Sequence, residues 1–150
     1  MNILLLGKAP RKAAHKNLLK KAVRLALGRD GARPGELCVV FLSDAEIRKL
    51  NRRFLAKDRA TDVIAFRYED AGLPQARLGE APFGDVYIGV ETAKRQAAEL
   101  GHGMLEELLT LTTHGTLHLL GFDDRSAPAR KRMFERQENL LRKLLKSGSK

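Results

Sequence analysis

The stretch LEELLTLTTHGTLHLLGFDD, residues 105–124, decides how this chain folds. Leucine and threonine cover most of a helical wheel drawn over 105–120. A helix that apolar belongs at the centre of a fold, covered on nearly every side. Gly121 stops it, because glycine alone adopts the left-handed conformation that reverses a chain without steric cost. The two histidines of the stretch, His114 and His118, stand four residues apart. On a helix that places them one turn up and only ~40° round, so both imidazoles address one point.

Working outward, the remaining elements fall on either side of this helix. ILLL (3–6) reads as a strand, and residues 15–27 as a helix with Leu18, Leu19, Ala22, Val23 and Ala26 at helical spacing. GRDGARPG is a loop, and ELCVVFL (36–42) is a continuous apolar run typical of a buried strand. Ser43 and Glu46 form a capping box that opens a helix reaching about Phe54. TDVIAFRYE (61–69) and GDVYIGV (84–90) are strands, joined by a polar loop with Gly72, Pro74, Gly79 and Pro82. A helix covers 91–100, and GHG (101–103) breaks it. After the central helix, Ser126 and Pro128 start a last helix with Met133, Phe134, Leu140, Leu141, Leu144 and Leu145 on one face. The expectation is one α+β (α/β-like) domain over 1–150, a four-stranded sheet packed with about five helices and the site on the central one.

Charge and composition narrow the class of function. Lys and Arg number 28 against 18 Asp and Glu, a net charge of +10. Such an excess on a small domain attracts polyanions, nucleic acid above all. No apolar run approaches the ~20 residues of a membrane span. The single Cys38 cannot form an internal disulfide, and a cytoplasmic location with no membrane role is expected.

The chemistry lies in THGTLHLLGFDD (113–124). Unpaired imidazole nitrogens in a leucine-rich helix cost ~1–3 kcal/mol each, so a metal or specific hydrogen-bond partners must satisfy His114 and His118. The turn at Gly121 brings Asp124 back as a candidate third ligand. Two imidazoles and a carboxylate leave a tetrahedral ion one open position, as in catalytic rather than structural zinc sites. The metzincin peptidases share this spacing but place Glu directly after the first histidine. Here Gly115 stands there, so the peptidase's general base is missing and peptide hydrolysis is disfavoured.

The segment HGTLHLLGFDD (114–124) resembles the signature HGxLHLxGYDH of the YbeY family of bacterial endoribonucleases, which are linked to ribosomal RNA maturation. LNRRFLAKDRATDVIAF (50–66) resembles that family's LNxxYRxKDxPTDVLSF, and GDVYIGVETAKRQA (84–97) its GDIxISxExAxxQA. The resemblance implies one zinc ion on His114, His118 and the third signature position, which here is Asp124 in place of histidine. A carboxylate there makes the site one unit more negative and the ion a weaker Lewis acid. The neighbouring Asp123 is the rival ligand.

A second departure is Leu55, standing where the family has an arginine implicated in its function. Lys57 and Arg59 are the candidate catalytic cations for the charge on a phosphorane. The implied function is a zinc-dependent, single-strand-directed endoribonuclease of rRNA processing, with rRNA, the ribosomal subunit and ribosomal proteins as partners. An RNA- or ribosome-binding assembly factor with a structural metal is the alternative, favoured by Leu55. Asp62 and Asp85 could orient a ligand histidine but more often cap strands. His15 and His102 carry no assigned role.

Overall fold

The computed structural model describes residues 1–68 and 82–148. The elements are β1 (Asn2–Gly7), α1 (Ala13–Leu27), a short 3-10 turn (Gly28–Ala32), β2 (Glu36–Leu42), α2 (Asp44–Leu55), β3 (Val63–Arg67), β4 (Pro82–Gly89), α3 (Val90–Leu100), α4 (Met104–Leu119) and α5 (Ala127–Gly148). The strands form one sheet in the order β1-β2-β4-β3. β1, β2 and β4 run parallel, and β3 pairs antiparallel with β4 along the edge. Among the described residues this is the expected α+β arrangement of four strands and five α-helices. The loop expected around Gly72, Pro74 and Gly79 lies outside the described residues, whereas Pro82 is the first residue of β4.

The continuous apolar run of β2 has a direct cause. β2 is flanked by two strands and covered on both faces, so neither side of its pleat meets water. Leu37, Val39 and Phe41 point to the larger core with α1, α3, α4 and α5. Cys38 and Val40 point to the smaller core, where α2 contributes Ile47, Leu50 and Phe54. α2 begins on the complete capping box: Ser43 Oγ accepts from Glu46 N–H at 3.2 Å, and Glu46 Oε1 accepts from Ser43 N–H at 2.9 Å.

α4 is the central helix. It packs on β3 and β4 below and on α1, α3 and α5 around its sides, and ten of its sixteen residues are buried. Burying one leucine fully contributes roughly 1.5–3 kcal/mol, so Leu109 and Leu117 alone make displacement of this helix costly. Its close seat on the sheet depends on Gly115. A Cβ there would lie 2.5 Å from Cγ1 of Val86 and 3.2 Å from Cγ2 of Val63.

α5 departs from the expected apolar face. Met133, Leu140 and Leu144 are buried, but Phe134 is 62% exposed and Leu145 48% exposed. The residue that completes the buried stripe is Gln137, at the helical spacing 133, 137, 140, 144. Periodicity gave the helix correctly but rotated its inward face. The true core side is set by α4, which presents a histidine to Gln137.

Candidate metal centre

His114 and His118 sit in the last turns of α4, each half-buried. Their Nε2 atoms face one another at 3.0 Å, with ring planes 80° apart. His114 Nδ1 donates to Oε1 of Gln137 at 2.8 Å. With its proton held on Nδ1, His114 presents a bare lone pair at Nε2 toward the partner ring. Two such lone pairs repel unless a proton or a cation lies between them.

Burial first, and then the proximity of His114, pushes the pKa of His118 below its ordinary value of 6.5. The opposing influences are Asp124, a hydrogen bond with the Phe122 backbone and Asp123, in that order. A depressed pKa keeps His118 neutral and available as a ligand. For two imidazoles sharing a tetrahedral zinc at ~2.0–2.1 Å, the nitrogens stand about 3.3 Å apart, close to the separation present here. The donor chemistry of the pair therefore fits such an ion.

The turn that follows behaves as the sequence requires. Gly121 adopts φ 98°, its N–H donates to His118 O at 3.0 Å, and Phe122 N–H donates to Leu117 O at 3.1 Å. These bonds satisfy the last carbonyls of α4 and turn the chain back. Asp124 then lines a cavity of about 270 Å³ together with His114, Arg130, Met133, Phe134 and Gln137. Asp123 faces a separate hollow beside Gly121 and Arg132, and its Oδ1 accepts from Arg125 N–H at 3.0 Å.

The expected three-ligand set is only partly assembled. Among the described residues, no three His, Cys, Asp or Glu side chains converge as a metal cage. The histidines come together and Asp124, an exposed residue, lines the cavity with His114, but it does not complete the set. The turn places Asp124 at the cavity as an exposed residue.

Neither Lys57 nor Arg59 lines the cavity beside His114. Both lie exposed in the connection from α2 to β3. The Lys57 N–H donates to Asn51 O, and the Arg59 carbonyl accepts from the Asn51 side chain at 3.0 Å. Arg59 lines a different cavity, with Asp44, Arg48 and Asp58. The cation present at the histidine cavity is Arg130, whose Nη1 donates to the Asp124 carbonyl at 3.1 Å.

Asp85 is fully buried on the sheet face turned away from α4, where it accepts from Tyr68 Oη and, at 2.9 Å, from Tyr87 Oη. Asp62 lies near Thr61 and gives its carbonyl to Gly89 N–H at 2.9 Å. Gln137 and Arg130 are the site residues that sequence reasoning missed. Gln137 had a signal, since it is a polar residue on the apolar line of α5. Arg130 had none that distinguished it from its basic neighbours.

The family model described as Endoribonuclease YbeY matches residues 7–145. The chain belongs to the YbeY endoribonuclease family. A YbeY relative from Elusimicrobium minutum is 35% identical over 144 residues, covering 96% of this chain and 99% of its own. Another, from Aquifex aeolicus, is 39% identical, covering 95% of this chain and 92% of its own. Both are named Endoribonuclease YbeY. A solution structure from Thermotoga maritima superposes with a TM-score of 0.65 at 27% identity, spanning 97% of this chain and 90% of that one. The match to YbeY spans all four strands but for most of β1, and it includes α4, its turn and α5, so the histidine pair lies within the shared fold.

Proposed function

We propose that this protein is a zinc-dependent endoribonuclease that cuts single-stranded RNA during ribosomal RNA maturation in the cytoplasm. The observation that carries this is the His114–His118 pair, its nitrogens 3.0 Å apart beside an open cavity, in a chain of the YbeY family. The net charge of +10 supports a polyanionic substrate, including rRNA within a ribosomal subunit and its proteins. Among the described residues no helix is long and apolar enough to cross a membrane.

His114 and His118 would hold the ion, with Asp124 as third ligand. Zinc bound there supplies Lewis acidity at a phosphoryl oxygen and lowers the pKa of water toward ~7. Gln137 keeps the His114 proton on Nδ1, which leaves Nε2 free to ligate. Arg130 places a permanent positive charge at the cavity wall, where charge develops on a phosphate under attack. Exposed Lys131, Arg132 and Lys143 on α5 would contact phosphates without reading sequence.

Elemental analysis of purified protein, paired with RNA cleavage by wild type and His114→Ala, tests this directly. Zinc near one equivalent and cleavage lost in the variant support the nuclease. Zinc present with equal cleavage in both proteins favours the second reading, an assembly factor with a structural metal. Leu55 supports that alternative, being 45% exposed at the end of α2 where the family carries arginine. Leu55→Arg separates the two: a rise in cleavage assigns the position to catalysis. Chelator-sensitive casein cleavage is not expected, because Gly115 stands where the peptidases carry their general-base glutamate.

A further inference from the structure

The histidine cavity does not end at Phe134. A second groove, of about 350 Å³, continues on the other side of that ring, and the two share Phe134 and Gln137 as a common wall. Leu100, Leu109 and Leu141 line the second groove, and Thr110, Glu138 and Arg142 stand at its edge. Phe134 has no part in the core, since it is 62% exposed while Met133, Leu140 and Leu144 of the same helix are buried. An exposed phenyl ring on a basic helix, with Arg130 in one hollow and Arg142 in the other, suits a ligand that combines an aromatic face with negative charge.

We propose that Phe134 stacks a nucleobase of the single-stranded RNA, next to the phosphate held at the histidine pair, and that the second groove receives that base. The inference rests on the nuclease reading above and names where its substrate lies. Stacking on an exposed aromatic side chain is how unpaired bases are held, because every base has a π-face. The groove is large enough for the purpose, above the ~300 Å³ at which small-ligand clefts begin. Two carboxylates of its lining, beside His102 and Arg142, argue for a base rather than a second phosphate. Glu106 and Glu138 repel phosphate but accept hydrogen bonds from exocyclic amino groups. The sugar-phosphate chain therefore follows the arginines, and the base turns inward past Phe134.

Steady-state cleavage of a short single-stranded RNA by wild type and Phe134→Ala, Phe134→Leu and Phe134→Trp provides the test. The ring is exposed, so these variants keep the fold, which thermal unfolding verifies. Phe134→Ala should raise KM about tenfold while kcat stays within about twofold. Phe134→Trp should restore KM, and Phe134→Leu should not. Abasic nucleotides placed one by one along the RNA should reveal one position that raises KM for wild type and has no further effect in Phe134→Ala.

An unchanged KM in Phe134→Ala, with cleavage intact, overturns the stacking role and leaves the nuclease standing. A leucine that serves as well as phenylalanine overturns it too, since apolar contact alone then suffices. If Phe134→Ala instead weakens binding to purified ribosomal subunits, with KM for the short RNA unmoved, the groove is a protein-docking surface and the stacking role is overturned. If wild type neither binds nor cleaves the RNA, the nuclease reading fails and this proposal with it.

Discussion

His114 donates its Nδ1 proton to Oε1 of Gln137 at 2.8 Å, joining α4 to α5 across 23 residues of sequence. A histidine whose second nitrogen is held in this way is fixed in tautomer and in ring angle. Gln137→Leu removes the acceptor and keeps a buried, similarly sized side chain. Zinc affinity should fall 10- to 100-fold, the usual loss when a partner behind a ligand is removed. Competition against a chromophoric chelator measures it. An affinity equal to wild type would show that packing alone orients His114.

Gly115 gives a prediction about the fold on which the site depends. A Cβ at this position would meet Cγ1 of Val86 at 2.5 Å, far inside contact distance. Gly115→Ala should therefore destabilise the protein by about 1–3 kcal/mol, the usual cost of overpacking a core. Adding Val86→Ala should recover part of that loss, because the shortest of the contacts is with that side chain. Urea denaturation of the single and double variants decides it. If Gly115→Ala is as stable as wild type, α4 is not seated as closely as described.

Local signals in the sequence carried most of this fold. ELCVVFL is β2, Ser43 and Glu46 are a formed capping box, and Gly121 ends α4 in the left-handed conformation. Each follows from a residue's own preferences or from spacing along one element. What remained hidden needed knowledge of a partner element. Phe134 and Leu145 fit a helical stripe but face water, because α5 turns the 133, 137, 140, 144 line inward. His102 looked idle, yet its Nε2 lies 3.0 Å from Oε2 of Glu107, a carboxylate buried at the start of α4. The charge of Lys57 and Arg59 and their nearness to a family motif do not fix the direction of either side chain.

The junction of α2 and α3 contributes to the response to acid. Asp44 Oδ2 accepts from Arg95 Nη2 at 2.8 Å, and Oδ1 accepts from Thr92 Oγ1 at 2.9 Å. The bond from Arg95 is the main reason its carboxyl titrates below the ordinary 3.8, and burial only partly opposes it. A depressed carboxyl pKa adds stability that is fully present above the unfolded value and is lost as pH falls through the folded one. Asp44→Asn should thus be less stable than wild type at about pH 7, and the difference should vanish in strong acid. Urea midpoints for both proteins across that range check the sign. A gap that persists below the titration of Asp44 would mean the residue acts by packing rather than by charge.

The choice of third ligand turns on which way two adjacent carboxylates face. Asp124 shares its cavity with His114, and it exerts the larger upward influence on the His118 pKa. Asp123 is occupied by the Arg125 N–H on the other side of the turn. Asp124→Ala should weaken zinc binding about tenfold or more, since a site with two protein donors lacks the third that catalytic zinc normally keeps. Asp123→Ala should bind nearly as wild type does. Asp124→His, which restores the family's residue, should retain the ion and make the site one unit less negative. Such a site strengthens the Lewis acid, so cleavage by Asp124→His should equal or exceed that of wild type. Chelator competition on the three variants, read beside their cleavage rates, separates the candidates. If Asp123→Ala loses the ion while Asp124→Ala keeps it, the turn must present Asp123 instead, and the cavity beside Phe134 is not where the reacting phosphate sits.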